Sequence, residues 1–110
     1  MKEAYLKING VPTKVVTWGQ WVEEDFTNCE DKKLILCIPG NPGITTFYKE
    51  FLQILHNRTN IPVWIVSHAG HEMPMNSELN CMPLLHENEQ LFNLKGQIEH
   101  KVSWVFAMNR

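Results

Sequence analysis

"LILCIPGNPGITTFYKEFLQILHNRTNIPVWIVSHAG", residues 34 to 70, joins stretches of two different periodicities. Leu34, Ile35, Leu36, Cys37 and Ile38 form an unbroken apolar run. A half-exposed strand would interrupt such a run with polar residues at every second position, whereas a parallel strand covered on both faces would not. The run therefore asks for a place in the middle of a sheet. Beyond a Gly/Pro turn, Ile44, Phe47, Tyr48, Phe51, Ile54 and Leu55 recur at helical spacing, with Thr45 or Thr46 available as N-cap, so a helix of about three turns is expected. "NIPVWIV" is a second apolar run. Strand, helix and strand in this order and at this length make a βαβ crossover, which sets the two strands parallel. The fold class is α/β.

Working outward, "AYLKI" and "VPTKVVTW" alternate on either side of Asn9-Gly10, the dipeptide that readily takes positive φ in a tight hairpin. Strands are expected near 4–8 and 13–18, with Pro12 lengthening the loop slightly. Residues 72–89 have no clean period and read as a loop. After it, Leu94, Ile98, Lys101, Val102 and Val105 fall on one helical stripe despite Gly96. No linker, repeat or low-complexity tract divides the chain, so residues 1–110 are expected to be one domain or part of one.

The chain of 110 residues is 44% hydrophobic and 20% charged, which places it among globular sequences and away from disorder. A net charge of −2, with the basic residues scattered singly, offers no footprint for nucleic acid. "MKEAYLKING" lacks the parts of a secretory signal and no apolar run reaches the ~20 residues of a membrane span, which points to the cytosol and to no transmembrane segment. Cys29, Cys37 and Cys81 show no CxxC spacing and read as reduced thiols, with Cys37 buried.

The strand-to-helix corner "PGNPG" carries the candidate chemistry. In α/β sheets such corners lie at the carboxyl edge of the strands, where ligands bind, and the helix that follows offers unpaired N–H groups and a positive dipole end. Gly40 and Gly43 let the backbone approach a ligand, while Pro39 and Pro42 fix φ and bring no donors. The usable N–H groups are those of Asn41 and Gly43, a rigid outward pair suited to an oxyanion hole. The alternative is a tight turn with no ligand. Phosphate cradling has neither GxxxxGK[ST] nor GxGxxG behind it. His68, His71 and Glu72, with Cys81, His86 and His100 as remote helpers, lack the second tight pair of a zinc site, so no metal or other cofactor is expected and the two histidines read as hydrogen-bonding locally. Trp18, Trp21, Trp64 and Trp104 read as core or near-core. Of the serines Ser67, Ser77 and Ser103, none stands in the Gly-x-Ser-x-Gly elbow that an α/β-hydrolase nucleophile needs.

"LILCIPGNPGITTFYKEFLQIL", "IPVWIVSHAGH" and "LKGQIEHKVSW" together resemble three successive blocks of the lipid droplet-associated hydrolase family, over roughly residues 33 to 104. The resemblance implies the N-terminal part of an α/β-hydrolase fold: a hairpin, a parallel βαβ unit and a following helix, without the nucleophile elbow and later strands. It implies serine esterase (carboxylic ester hydrolase) chemistry on neutral lipid esters, with cholesteryl ester the usual proposal, at lipid droplets and the cytosolic face of the endoplasmic reticulum. Gly40 and Asn41, with Gly43 beside them, then fall on the oxyanion loop after the third strand. The family's serine, acid and histidine, and its droplet-attaching hydrophobic segment, come later than Arg110, so this chain by itself is expected to be inactive on esters. In the α/β-hydrolase strand order the next strand pairs with "LILCI", which is left here as a sheet edge. The second reading is a non-catalytic short form that pairs this strand with a partner. A small phosphate- or metal-binding module is the third.

Overall fold

The structure is a computed structural model that describes residues 1–19, 33–73 and 82–108. Trp21, Cys29, Ser77 and Cys81 lie outside the described residues. Four strands form one mixed sheet: β1 (Lys2–Ile8), β2 (Val11–Trp18), β3 (Ile35–Cys37) and β4 (Val63–Val66), in the spatial order β1-β2-β4-β3. β1 pairs antiparallel with β2, β2 antiparallel with β4, and β4 parallel with β3. The helices are α1 (Lys49–Thr59), α2 (Glu89–Phe92) and α3 (Leu94–Met108).

The hairpin turn is tighter than Pro12 suggested. Asn9 and Gly10 both take positive φ, at 49° and 79°, and Ile8 pairs directly with Val11. In a two-residue hairpin that flanking pair exchanges the hydrogen bonds, so the next pair, Lys7 with Pro12, does not. The missing N–H of Pro12 thus faces away from β1, and β4 joins β2 only from Val15 onward. No ladder bond is lost there, which lets β2 begin at Val11.

β4 sits between two neighbours and all four of its residues are fully buried. Its alternation feeds two cores. Trp64 and Val66 pack with Ile8, Val15 and Trp104 beneath α3, while Val63 and Ile65 pack with Val16, Trp18 and Leu52 beneath α1. The sheet is therefore covered on both faces, and Trp18, Trp64 and Trp104 are core residues as expected.

Three expectations need correction. The apolar run 34–38 is not covered on both faces as its composition suggested, because Leu36 is 38% and Ile38 51% exposed. β3 spans three residues and lies at the edge of the described sheet, as the α/β-hydrolase strand order implied. α1 turns Leu52, flanked by Tyr48 and Leu55, to the sheet, leaving Phe47, Phe51 and Ile54 in solvent. The same holds for α3, which buries His100 and Trp104, whereas the apolar stripe from Leu94 (78% exposed) through Ile98, Val102 and Val105 faces outward. In both helices a periodic stripe was present, but the residues that fill the gap over the sheet belong to another face. Within the stretch read as a loop, the described part contains a 3-10 turn, Leu85–Glu87, and then α2.

Candidate functional site

The three sequence blocks meet at the carboxyl edge of β3 and β4. The 39–45 loop leaves β3 through "PGNPG", in which the Asn41–Pro42 peptide is cis. His68, at the end of β4, donates its backbone N–H to Gly43 O at 3.1 Å, and its Nε2 lies 2.9 Å from Pro39 O. A carbonyl only accepts, so Nε2 carries the proton and the bare Nδ1 is buried with no partner among the described residues. Gly43 packs so closely on this imidazole that a Cβ there would come within 2.2 Å of His68 Cδ2 and 2.4 Å of its Cγ. Glycine at 43 is required by that approach. Burial, and then the nearby Lys101 cation, push the His68 pKa below the ordinary histidine value.

Gly43 donates its own N–H to His71 Nδ1 at 2.7 Å. Gly40 donates to the Tyr48 hydroxyl, also at 2.7 Å. Pro39 and Pro42 have none to give. Of the residues from 39 to 43, only Asn41 therefore keeps a backbone N–H with no partner among the described residues. Sequence reasoning offered Asn41 and Gly43 as a pair of donors; the structure commits Gly43 to a histidine. His68 and His71 do not simply bond locally: besides the turn bond from His71 N–H to His68 O at 3.0 Å, both rings reach across to the 39–43 loop.

The helix start shows a second departure. No side chain of the segment itself caps the 3-10 turn Thr45–Tyr48 that leads into α1. Glu72 does so from the other block, accepting from the Thr45 N–H and, at 2.8 Å, from the Thr45 hydroxyl. An internal carboxylate thus occupies the positive end of the helix, where an external anion would otherwise be welcome. Lys14 stands 3.6 Å from Glu72 and 3.9 Å from Glu3, and Glu3 also pairs with Lys49. The Lys49 hydrogen bond holds the Glu3 carboxyl below its ordinary pKa. Tyr5 adds a bond from its hydroxyl to Met73 O at 3.1 Å. The hairpin is in this way tied to the loop after β4.

The third block, "GQIEHK", supports the corner from α3. Gln97 accepts from Ala69 N–H at 2.8 Å and donates to Ala69 O at 2.9 Å, clamping the residue between the two histidines. Gly96 lets α3 approach the backbone of Gln90 and Leu91, where a Cβ would not fit. His100, fully buried, sits 2.8 Å from the Thr13 hydroxyl and 2.7 Å from Lys101 Nζ. Thr13 gives its proton to Val11 O, so it accepts from His100 Nε2, and Nδ1 accepts from Lys101. Burial, followed by the Lys101 charge, lowers the His100 pKa to about 3, and burial lowers Lys101 to about 8. Spacing alone did not give Gln97, Glu72 or Lys101 these roles, because each acts over 27 residues or more of chain or through a neighbour; Glu72 was read only beside the two histidines and Lys101 only on a helical stripe.

Ser67 is fully buried and its hydroxyl accepts from Lys14 N–H at 3.2 Å, a structural bond. Among the described residues no three His, Cys, Asp or Glu side chains converge to hold a metal, and no helix is long and apolar enough to cross a membrane. Cys37 is a half-buried free thiol whose pKa burial raises.

What this corner defines is an α/β unit with a braced loop at the carboxyl edge of its parallel strands. The family model described as lipid-droplet associated hydrolase matches residues 31–109, and the chain belongs to that family. It is similar to proteins named lipid droplet-associated hydrolase from Drosophila melanogaster (45% identical, 96% of this chain and 34% of the relative), Mus musculus (35%; 97% and 36%) and Gallus gallus (36%; 96% and 34%). The chain thus spans about a third of the length of these relatives. No solved structure matches it.

Proposed function

We propose that these residues form the oxyanion-stabilising part of a serine esterase acting on neutral lipid esters, cholesteryl ester among them, at the droplet and endoplasmic reticulum surface. The observation that carries this is the Asn41 N–H, left without a partner among the described residues in a loop whose other donors are taken and whose position is fixed by His68, His71 and Tyr48. A donor held in place and aimed outward stabilises developing negative charge without reorganising, and such a donor contributes on the order of 10²–10³ in kcat. The strand order β1-β2-β4-β3 agrees with the α/β-hydrolase arrangement, in which this loop follows the third strand. The attacking serine must come from another segment, because no Gly-x-Ser-x-Gly occurs in the 110 residues. The chain alone does not hydrolyse esters.

The test is a chimera in which these 110 residues replace the matching third of the Drosophila relative, assayed on a neutral lipid ester, with the Asn41 amide then exchanged for a backbone ester. Activity that falls about a hundredfold or more on losing that one N–H supports the reading. Activity indifferent to it overturns the oxyanion assignment, and labelling of the 110-residue chain at one site by a fluorophosphonate overturns its inactivity.

A second reading is favoured by the edge position of β3. The side of β3 that no described strand pairs with, next to the exposed Ile38, is a template for strand addition by a partner.

A further inference from the structure

Beside the candidate site lies a hollow of about 640 Å³ between the turn after β4 and the segment that carries α2. That volume is in the range of small-molecule sites. His71, Met73, Met82, Leu84, Leu85 and Phe92 form most of its wall, and His71 is the one side chain there with a hydrogen-bonding ring. Because His71 Nδ1 accepts from Gly43 N–H, the neutral ring carries its proton on Nε2. That N–H has no partner among the described residues. His71, tied through Gly43 to the loop that carries Asn41, thus brings the one side-chain ring donor to this wall, and the side chains of Met73, Met82, Pro83, Leu84, Leu85 and Phe92 bring hydrocarbon. Met73, Leu84 and Leu85 are each more than half exposed, so its apolar wall is open to an occupant.

We infer that this hollow binds a fatty acyl chain, with His71 Nε2 donating to the carbonyl or carboxylate oxygen and the alkyl tail lying along Met73, Met82, Leu84, Leu85 and Phe92. This deepens the esterase reading and rests on it, since it places the acyl side of an ester beside the Asn41 N–H. Methionine and leucine walls suit a flexible alkyl chain, to which they adapt without a fixed shape. The same chemistry is met by an esterified acyl group or by a free fatty acid.

Equilibrium binding of saturated fatty acids from eight to sixteen carbons to the 110-residue chain, by titration calorimetry below their micelle concentrations, tests it. Affinity should rise by about fourfold per added methylene until the hollow is filled. Leu84→Glu and Leu85→Glu should each weaken palmitate at least tenfold, and Phe51→Glu on the exposed face of α1 should leave it unchanged. Methyl palmitate in the same series separates the sources: equal affinity means the acyl chain and carbonyl suffice, and a loss means the free acid is the ligand. Affinity that ignores chain length, or that falls equally with Phe51→Glu, overturns the inference. Amide NMR of Asn41 in the same titration keeps the two readings apart. Length-dependent binding that leaves the Asn41 amide unmoved retains the hollow and sinks the oxyanion assignment, and an Asn41 shift without length dependence does the reverse.

Discussion

His71 Nδ1 accepts the Gly43 N–H at 2.7 Å across 28 residues of chain, and with the Gly40–Tyr48 bond this leaves Asn41 as the loop's one backbone donor without a partner among the described residues. It also converts two separate motifs into one rigid corner. Amide hydrogen exchange should report the distinction directly: Gly40 and Gly43 protected, Asn41 fast. His71→Ala should release Gly43 to fast exchange while leaving Gly40, bonded to Tyr48, slow. Protection of Asn41 equal to that of Gly43 would contradict the assignment.

Gly43 and Gly10 make a contrasting pair. A methyl group at 43 meets the His68 ring, which cannot withdraw without giving up its bond to Pro39, whereas at 10 there is open space and only a φ of 79° to oppose it. Gly43→Ala should therefore cost about 3 kcal/mol or more, in the range of core overpacking combined with a lost buried bond. Gly10→Ala should cost about 1–2 kcal/mol, the penalty of a left-handed backbone with a side chain. Urea denaturation of the two variants measures the difference, and equal costs would show that the His68 contact yields freely.

Glu72 replaces a local cap by a distant one. Glu72→Gln keeps an acceptor for Thr45 but removes the charge that complements the helix end and faces Lys14, and should cost about 0.5–1.5 kcal/mol, shrinking in high salt. Glu72→Ala, which also leaves the Thr45 N–H without its acceptor, should cost about 1–2 kcal/mol more. The comparison of the two in low and high salt separates charge from hydrogen bonding.

Much of this was legible in sequence, and the reasons differ by element. Asn9-Gly10 announced the hairpin because its positive φ is a local requirement, and the two apolar runs announced two parallel strands, although only β4 proved fully buried. Which face of α1 and α3 is buried was not legible. Leu52 and Trp104 fill the space over the sheet, while Phe51 and Ile98 have no neighbour to bury them among the described residues, and that depends on where the sheet ends. At the corner the loop itself could be found from "PGNPG", but the bond that occupies Gly43 comes from a turn 28 residues on, and no spacing rule within the loop announces it.

The buried His100 gives the fold an acid limb. Its pKa of about 3 in the folded protein lies below the ordinary 6.5, so its contribution is fully present above pH 6.5 and is lost as pH falls toward 3. The loss approaches about 1.4 kcal/mol per pH unit in that window. Lys101, lowered from 10.5 to about 8, acts in a separate window, adding stability as pH rises from 8 to 10.5. Melting temperature should therefore climb from pH 4 to 7 and again above pH 8. His100→Gln should flatten the acid limb without abolishing it, because Glu3, held below its ordinary value by Lys49, and the lowered His68 and His71 slope the same way. An unchanged acid limb in that variant would mean His100 is not the buried neutral group.

β3 carries the last consequence. Ile35 and Cys37 join the core under α1 and Leu34 the core under α3, so the strand is held by its side chains even though one side of its backbone pairs with no other described strand. An apolar edge strand of this kind associates with another edge, and a charge on it opposes that association. Light scattering of the 110-residue chain should show self-association that grows with concentration, and Leu36→Lys, at a position 38% exposed on this strand, should reduce it. Phe51→Glu removes as much exposed apolar surface from α1 without touching the edge and should change association far less. If both variants reduce it equally, the driving force is general hydrophobic surface; if only the strand variant does, β3 is where a further strand belongs.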